Sequence, residues 1–164
     1  GFPCLTISPN LFPSTLKPTL FRLVLPFLII KLAAVAAGGA EAPRKEGPTS
    51  GRLLTKVEPN AEFFVNAEKK VEIRFVDATN KVVAPGEQEV VVTLGDRSKP
   101  TRLAFTKDGD KLVSDKSVPE GNDYPTVVQI RSKAGAKAVN EKFNLNLTKC
   151  PGCANPEYSC TCDH

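Results

Sequence analysis

Cys150-Pro151-Gly152-Cys153 and Cys160-Thr161-Cys162-Asp163-His164 place four of the chain's five cysteines and its single histidine within one short C-terminal segment. Thiolate and imidazole are the donors that soft and borderline ions such as Zn(II) and Cu(I) prefer. In a Cys-Pro-Gly-Cys turn, proline fixes the backbone and glycine lets the amides point inward, so two sulfurs can share one edge of an ion. Cys160, Cys162 and His164 fall at every second position, and in an extended segment such residues project to one side. Asn155-Pro156 offers the reversal that would bring them back to the first pair. The candidate ligands are therefore Cys150, Cys153, Cys160 and Cys162, with His164 as an alternate or exchangeable fourth.

Two other chemistries use the same residues. In an oxidising compartment four cysteines can form two disulfides with three possible pairings. A CxxC can also exchange disulfides, but such a pair normally opens a helix after a central strand, and this one is followed within three residues by Pro156. Other activities find no support. A blue-copper site needs two histidines, a lone terminal histidine cannot serve a Ser/His/Asp set, and there is no glycine-rich phosphate loop. The chain is not expected to be an enzyme.

Lys17, Arg22 and Lys31 account for three of the 22 basic side chains and no acid precedes Glu41, so the remainder balances 19 basic against 18 acidic groups. A nearly neutral body lacks the basic stripe that phosphate backbones require, so no nucleic-acid partner is expected. The basic stretch at Lys17–Arg22, the apolar run Leu23–Ile30 and the small residues Ala33–Ala40 have the layout of a secretory signal. Residues 1–15 then read as an upstream or disordered segment, with initiation at Leu16 through a non-ATG bacterial codon. Residues 16–40 read as the signal peptide, cut after Ala36, Ala37 or Ala40, and removal takes Cys4 with it. The expected location is periplasmic or secreted, with membrane contact only through the signal segment if it stays uncleaved. Residues 41–50 read as a flexible tether, with order beginning near Gly51.

Beyond the tether, apolar residues alternate with polar ones in short runs separated by turn signals, the mark of half-buried strands. The runs are Leu53–Val57, Glu62–Val65, Val71–Asp77, Val90–Leu94, Arg102–Thr106, Lys111–Ser114, Val127–Ser132 and Lys142–Leu147. Asp108-Gly109 predicts a hairpin. Lys133–Val139 is read as one helical turn or a loose loop, and Lys69, Lys70, Lys81 and Lys99 as guards of sheet edges. Residues 51–148 are thus expected to be all-β, an immunoglobulin-like antiparallel β-sandwich, with residues 149–164 as a short cysteine-rich, metal-binding knuckle.

Gly51-Arg52-Leu53-Leu54, Glu58-Pro59-Asn60-Ala61-Glu62-Phe63-Phe64-Val65 and the terminal Cys-x2-Cys-x6-Cys-x-Cys-x-His together resemble a group of small exported bacterial proteins. The resemblance implies an association with heavy-metal efflux, with an efflux component as partner. The leading expectation is a periplasmic protein that binds Zn(II) or Cu(I) and acts as carrier or accessory to efflux. The alternative is a noncatalytic extracytoplasmic interaction module whose tail is stapled by disulfides.

Overall fold

Each run of alternating residues has one wet face and one apolar face, and the apolar faces meet in a single core. The computed structural model describes residues 45–162. Its antiparallel strands are β1 (Arg52–Leu54), β2 (Asn60–Val65), β3 (Lys70–Val76), β4 (Val82–Val83), β5 (Glu89–Leu94), β6 (Thr101–Asp108), β7 (Lys111–Ser117), β8 (Asp123–Arg131) and β9 (Val139–Asn146). Each of the eight predicted runs overlaps a strand, the first of them only at Leu53 and Leu54. The additional one, β4, is two exposed valines, too short to show a period. No helix occurs among the described residues, so none there is long and apolar enough to cross a membrane. Of residues 133–139, read from sequence as a helical turn or a loose loop, 133–136 form a turn closed by the Ala136 amide on the Lys133 carbonyl, with Gly135 at φ 75°, and Val139 already belongs to β9.

The fold is all-β and sandwich-like. Strands follow one another in the order β1-β2-β3-β7-β6-β5-β8-β9, with β4 added to β3. Two groups of strands can be told apart along this order, β2-β3-β7-β6 and β5-β8-β9. The groups are not separate, however. Thr101–Ala104 of β6 pair with β5, whereas Phe105–Asp108 pair with β7, so one strand turns the corner between the halves. Beside the changeover, the Ala104 amide donates to Asp115 Oδ1 at 2.9 Å instead of to a ladder carbonyl. A bulge where β3 meets β7 is satisfied in the same way, the Val71 amide donating to Ser114 Oγ at 3.0 Å. The predicted hairpin is present, with Asp108 opposite Lys111 and Gly109 at φ 62°.

Ala61, Phe63, Ile73, Phe75, Val92, Leu94, Leu103, Val128, Ile130 and Leu145 are buried in the core. Side chains also join the two ends of the strand order. Phe63 of β2 meets the Phe143 ring of β9 edge-on at 5.1 Å, and the Arg52 guanidinium lies 4.6 Å over Phe143. Lys56 bonds Glu141 through both its amide and its ammonium group, each at 3.0 Å. The expectation for the lysines is corrected in part. Lys70 sits on β3 between β2 and β7, and Lys69 and Lys99 lie in connections, so only Lys81 flanks an edge strand, β4.

Two carboxylates organise the β2–β3 surface. Glu72, nearly buried, accepts from Lys111 Nζ at 2.9 Å and Asn66 Nδ2 at 3.1 Å and pairs with Arg74. Burial alone would raise its pKa, but the hydrogen bonds from Lys111 and Asn66 and the Arg74 guanidinium outweigh it and hold the carboxyl below its ordinary value. Glu62, fully buried, accepts the amides of Thr49 at 2.8 Å and Gly51 at 2.9 Å. Residues 45–50, read from sequence as tether, thus form a hydrogen-bonded turn in which Glu46 bridges Arg52 and the Gly47 amide bonds the Gly51 carbonyl at 2.9 Å.

Because the folded pKa of Glu72 is lowered, its contribution to stability is present above the ordinary carboxylate range and is lost as pH falls through the folded value. Urea denaturation across a pH series is expected to show Glu72→Gln less stable by about 1–3 kcal/mol at neutral pH and less sensitive to acid. A Cβ on Gly47 would lie 2.5 Å from Glu62 Cγ and Oε1. Gly47→Ala should therefore push Glu62 off its amides and cost about 1–3 kcal/mol, read by the same denaturation.

Candidate metal centre

The cysteines are positioned by a reversal that starts where β9 ends. Asn146 Oδ1 accepts the Thr148 amide at 2.9 Å, turning the chain out of the strand. The Cys150 amide then bonds the Asn155 carbonyl at 3.0 Å, closing a loop around Cys-Pro-Gly-Cys, and Lys149 bridges Pro156. After Pro156 the chain returns along its own path, the Glu157 amide on the Thr148 carbonyl at 2.9 Å and the Tyr158 amide on the Asn146 carbonyl at 3.0 Å. A tight turn, Ser159 amide to Pro156 carbonyl at 3.0 Å, presents Cys160 to the first cysteine pair.

This path brings Cys150, Cys153, Cys160 and Cys162 together with all four sulfurs within 4.8 Å of one another. Cys160 Sγ lies 3.2 Å from Cys150 Sγ and 3.4 Å from Cys153 Sγ, and no disulfide joins the four cysteines. For comparison, Zn–S bonds of about 2.3 Å imply edges of about 3.8 Å in a tetrahedral four-sulfur shell. The donor set fits such an ion with small adjustments. The Gly152 amide donates to Cys150 Sγ and the Cys162 amide to Cys160 Sγ, each at 3.3 Å. Hydrogen bonding to Cys160 and then Cys153, together with burial and the charge of those sulfurs, pushes the Cys162 thiol up to about 12. A divalent ion would supply the charge that lets all four act as thiolates.

Of the predicted ligands, the four cysteines converge, whereas His164 lies outside the described residues, as do residues 1–44 with the predicted upstream segment, signal peptide and start of the tether.

The knuckle is fastened to the sheet by a residue that the sequence did not single out. Tyr158 is buried with its ring 5.9 Å from Phe63, edge to face, and its hydroxyl accepts the Val65 amide at 3.0 Å. Burial pushes its phenol up to about 12, opposed by the Val65 hydrogen bond and assisted by the charge of Glu62. Its carbonyl accepts from Arg52 Nη1 at 3.5 Å, while Asn155 Nδ2 donates to Glu46 Oε1 at 3.1 Å. The one available signal was an aromatic residue placed between two cysteine pairs. Nothing local marked Arg52 or Glu46 as its neighbours.

The chain matches no known family model, no curated protein and no solved structure. The reading of this centre therefore rests on its own geometry.

Removing the Tyr158 hydroxyl leaves a buried amide without its acceptor, whereas removing the ring also opens the core. Tyr158→Phe is expected to cost about 1–3 kcal/mol, and Tyr158→Ala about 3–5 kcal/mol, measured by chemical denaturation of the intact chain.

Proposed function

We propose that the chain is a noncatalytic metal-binding protein in which a β-sandwich-like body carries one four-thiolate site. The observation that carries this reading is the convergence of Cys150, Cys153, Cys160 and Cys162 to within 4.8 Å. Four sulfurs in a tetrahedral arrangement suit Zn(II) first, with Cu(I) the other soft ion of the same donor chemistry. When bound, the ion would fix the reversal at Asn155-Pro156 and hold the Tyr158 turn against β2. Thiolate ligation requires deprotonation, so affinity is expected to fall as pH is lowered.

Export, a periplasmic or secreted location and a role as carrier or accessory to heavy-metal efflux belong to the proposal. They are supported by the leader-like pattern of residues 16–40 and by the resemblance to exported proteins. Half-exposure of Cys153 and Cys162 supports a site that can exchange its ion. The same proximity would let the thiols close into two disulfides under oxidising conditions, which is the interaction-module alternative.

Intact native mass of protein purified without reductant or chelator, together with a free-thiol count, separates the two. One ion per chain, with thiols reactive only after the ion is stripped, is the expected result, and Cys160→Ser should weaken binding at least about tenfold. A metal-free mass four hydrogens below the reduced mass, with no free thiol, would replace the metal reading by the disulfide-stapled module.

A further inference from the structure

The four sulfurs are not equivalent. Cys150 and Cys160 are 2% and 0% exposed, whereas Cys153 and Cys162 are half-exposed. Among the described residues, two amide-to-sulfur hydrogen bonds fall on the same inner pair, Gly152 to Cys150 and Cys162 to Cys160. Among the described residues no backbone amide donates to Cys153 or Cys162 sulfur. Hydrogen bonding to a thiolate stabilises its charge and lowers its nucleophilicity. Burial and hydrogen bonding thus independently make the inner pair the retained ligands and the outer pair the reactive ones.

We infer that Cys153 and Cys162 form a reactive edge of the metal site, modified first by electrophiles and oxidised as a pair by small-molecule disulfides, with release of the ion. The inference rests on the metal reading above. In the oxidation, the Cys153 sulfur attacks one sulfur of the small disulfide, whose S–S bond breaks and expels one thiolate. The Cys162 sulfur then attacks Cys153 in this mixed disulfide, forming the Cys153–Cys162 bond and expelling the second thiolate. Two electrons pass from the protein sulfurs to the small disulfide. The ion keeps its oxidation state, loses two of its four ligands and departs hydrated. The outer sulfurs already lie within 4.8 Å, so the bond can close by local rotation. The reverse exchange, in which a dithiol reduces the bond, would restore the site.

The test uses the full chain loaded with zinc. A limiting amount of N-ethylmaleimide is added, the reaction is quenched, and the labelled cysteines are located by fragmentation mass spectrometry. A parallel sample receives oxidised glutathione while a chromophoric chelator reports free zinc. Labelling of Cys153 and Cys162 is expected to run at least about tenfold ahead of Cys150 and Cys160. Oxidised glutathione should give a Cys153–Cys162 disulfide with one zinc released per bond formed. A protein that holds one zinc but labels all four cysteines at equal rates, or forms a Cys150–Cys160 bond first, overturns this inference and leaves the metal reading standing. A protein that holds no ion overturns both.

Discussion

Tyr158 joins the cysteine-rich segment to the sheet, and the position of every sulfur follows from that junction. Its ring enters the core beside Phe63 while its hydroxyl takes an amide at the end of β2, so one side chain meets an apolar and a polar requirement together. A large aromatic ring contributes a few kcal/mol through burial alone, and the hydroxyl removes what would otherwise be an unsatisfied buried donor. With the Tyr158 turn held there, Cys160 is fixed within contact of Cys150 and Cys153. The sulfurs are consequently preorganised by the fold and do not depend on a floppy tail to find one another.

If all four sulfurs were ionised, that arrangement would carry an electrostatic cost, which a bound cation would offset. Four thiolates confined to a few ångströms repel strongly in a partly dry environment. The body of the chain offers no dense positive field in compensation, because its acids and bases nearly balance. Arg52 lies near the knuckle but spends its guanidinium on the Phe143 ring and the Tyr158 carbonyl. The local backbone helps as well, the Gly152 and Cys162 amides donating to Cys150 and Cys160 sulfur.

Much of this was legible in the sequence, for reasons that can be named. A half-buried strand must alternate, and so β2, β3, β5, β6 and the other longer strands announced themselves, as did the Asp108-Gly109 hairpin. The Cys-Pro-Gly-Cys turn and the reversal at Asn155-Pro156 were equally local. What escaped were features fixed by residues far apart in the chain. The turn at 45–50 is ordered by Glu62, more than ten residues away, so its own Pro, Gly and charge content looked like a tether. The lysines were assigned to edges because a period identifies a strand without saying which strands flank it. The change of partner along β6 leaves no trace either, since Leu103 and Phe105 keep the same alternation across it.

That change of partner has a thermodynamic meaning. Two sheets that merely stack can, in principle, part along their apolar interface and loosen one at a time. Here the backbone of β6 is a covalent and hydrogen-bonded seam common to both halves. Fraying either half strips ladder bonds from a strand the other half also needs, so intermediate states with one half melted gain little entropy for what they lose. The seam favours loss of the β-body as one unit rather than half by half, and the four clustered sulfurs are fastened to that unit through Tyr158.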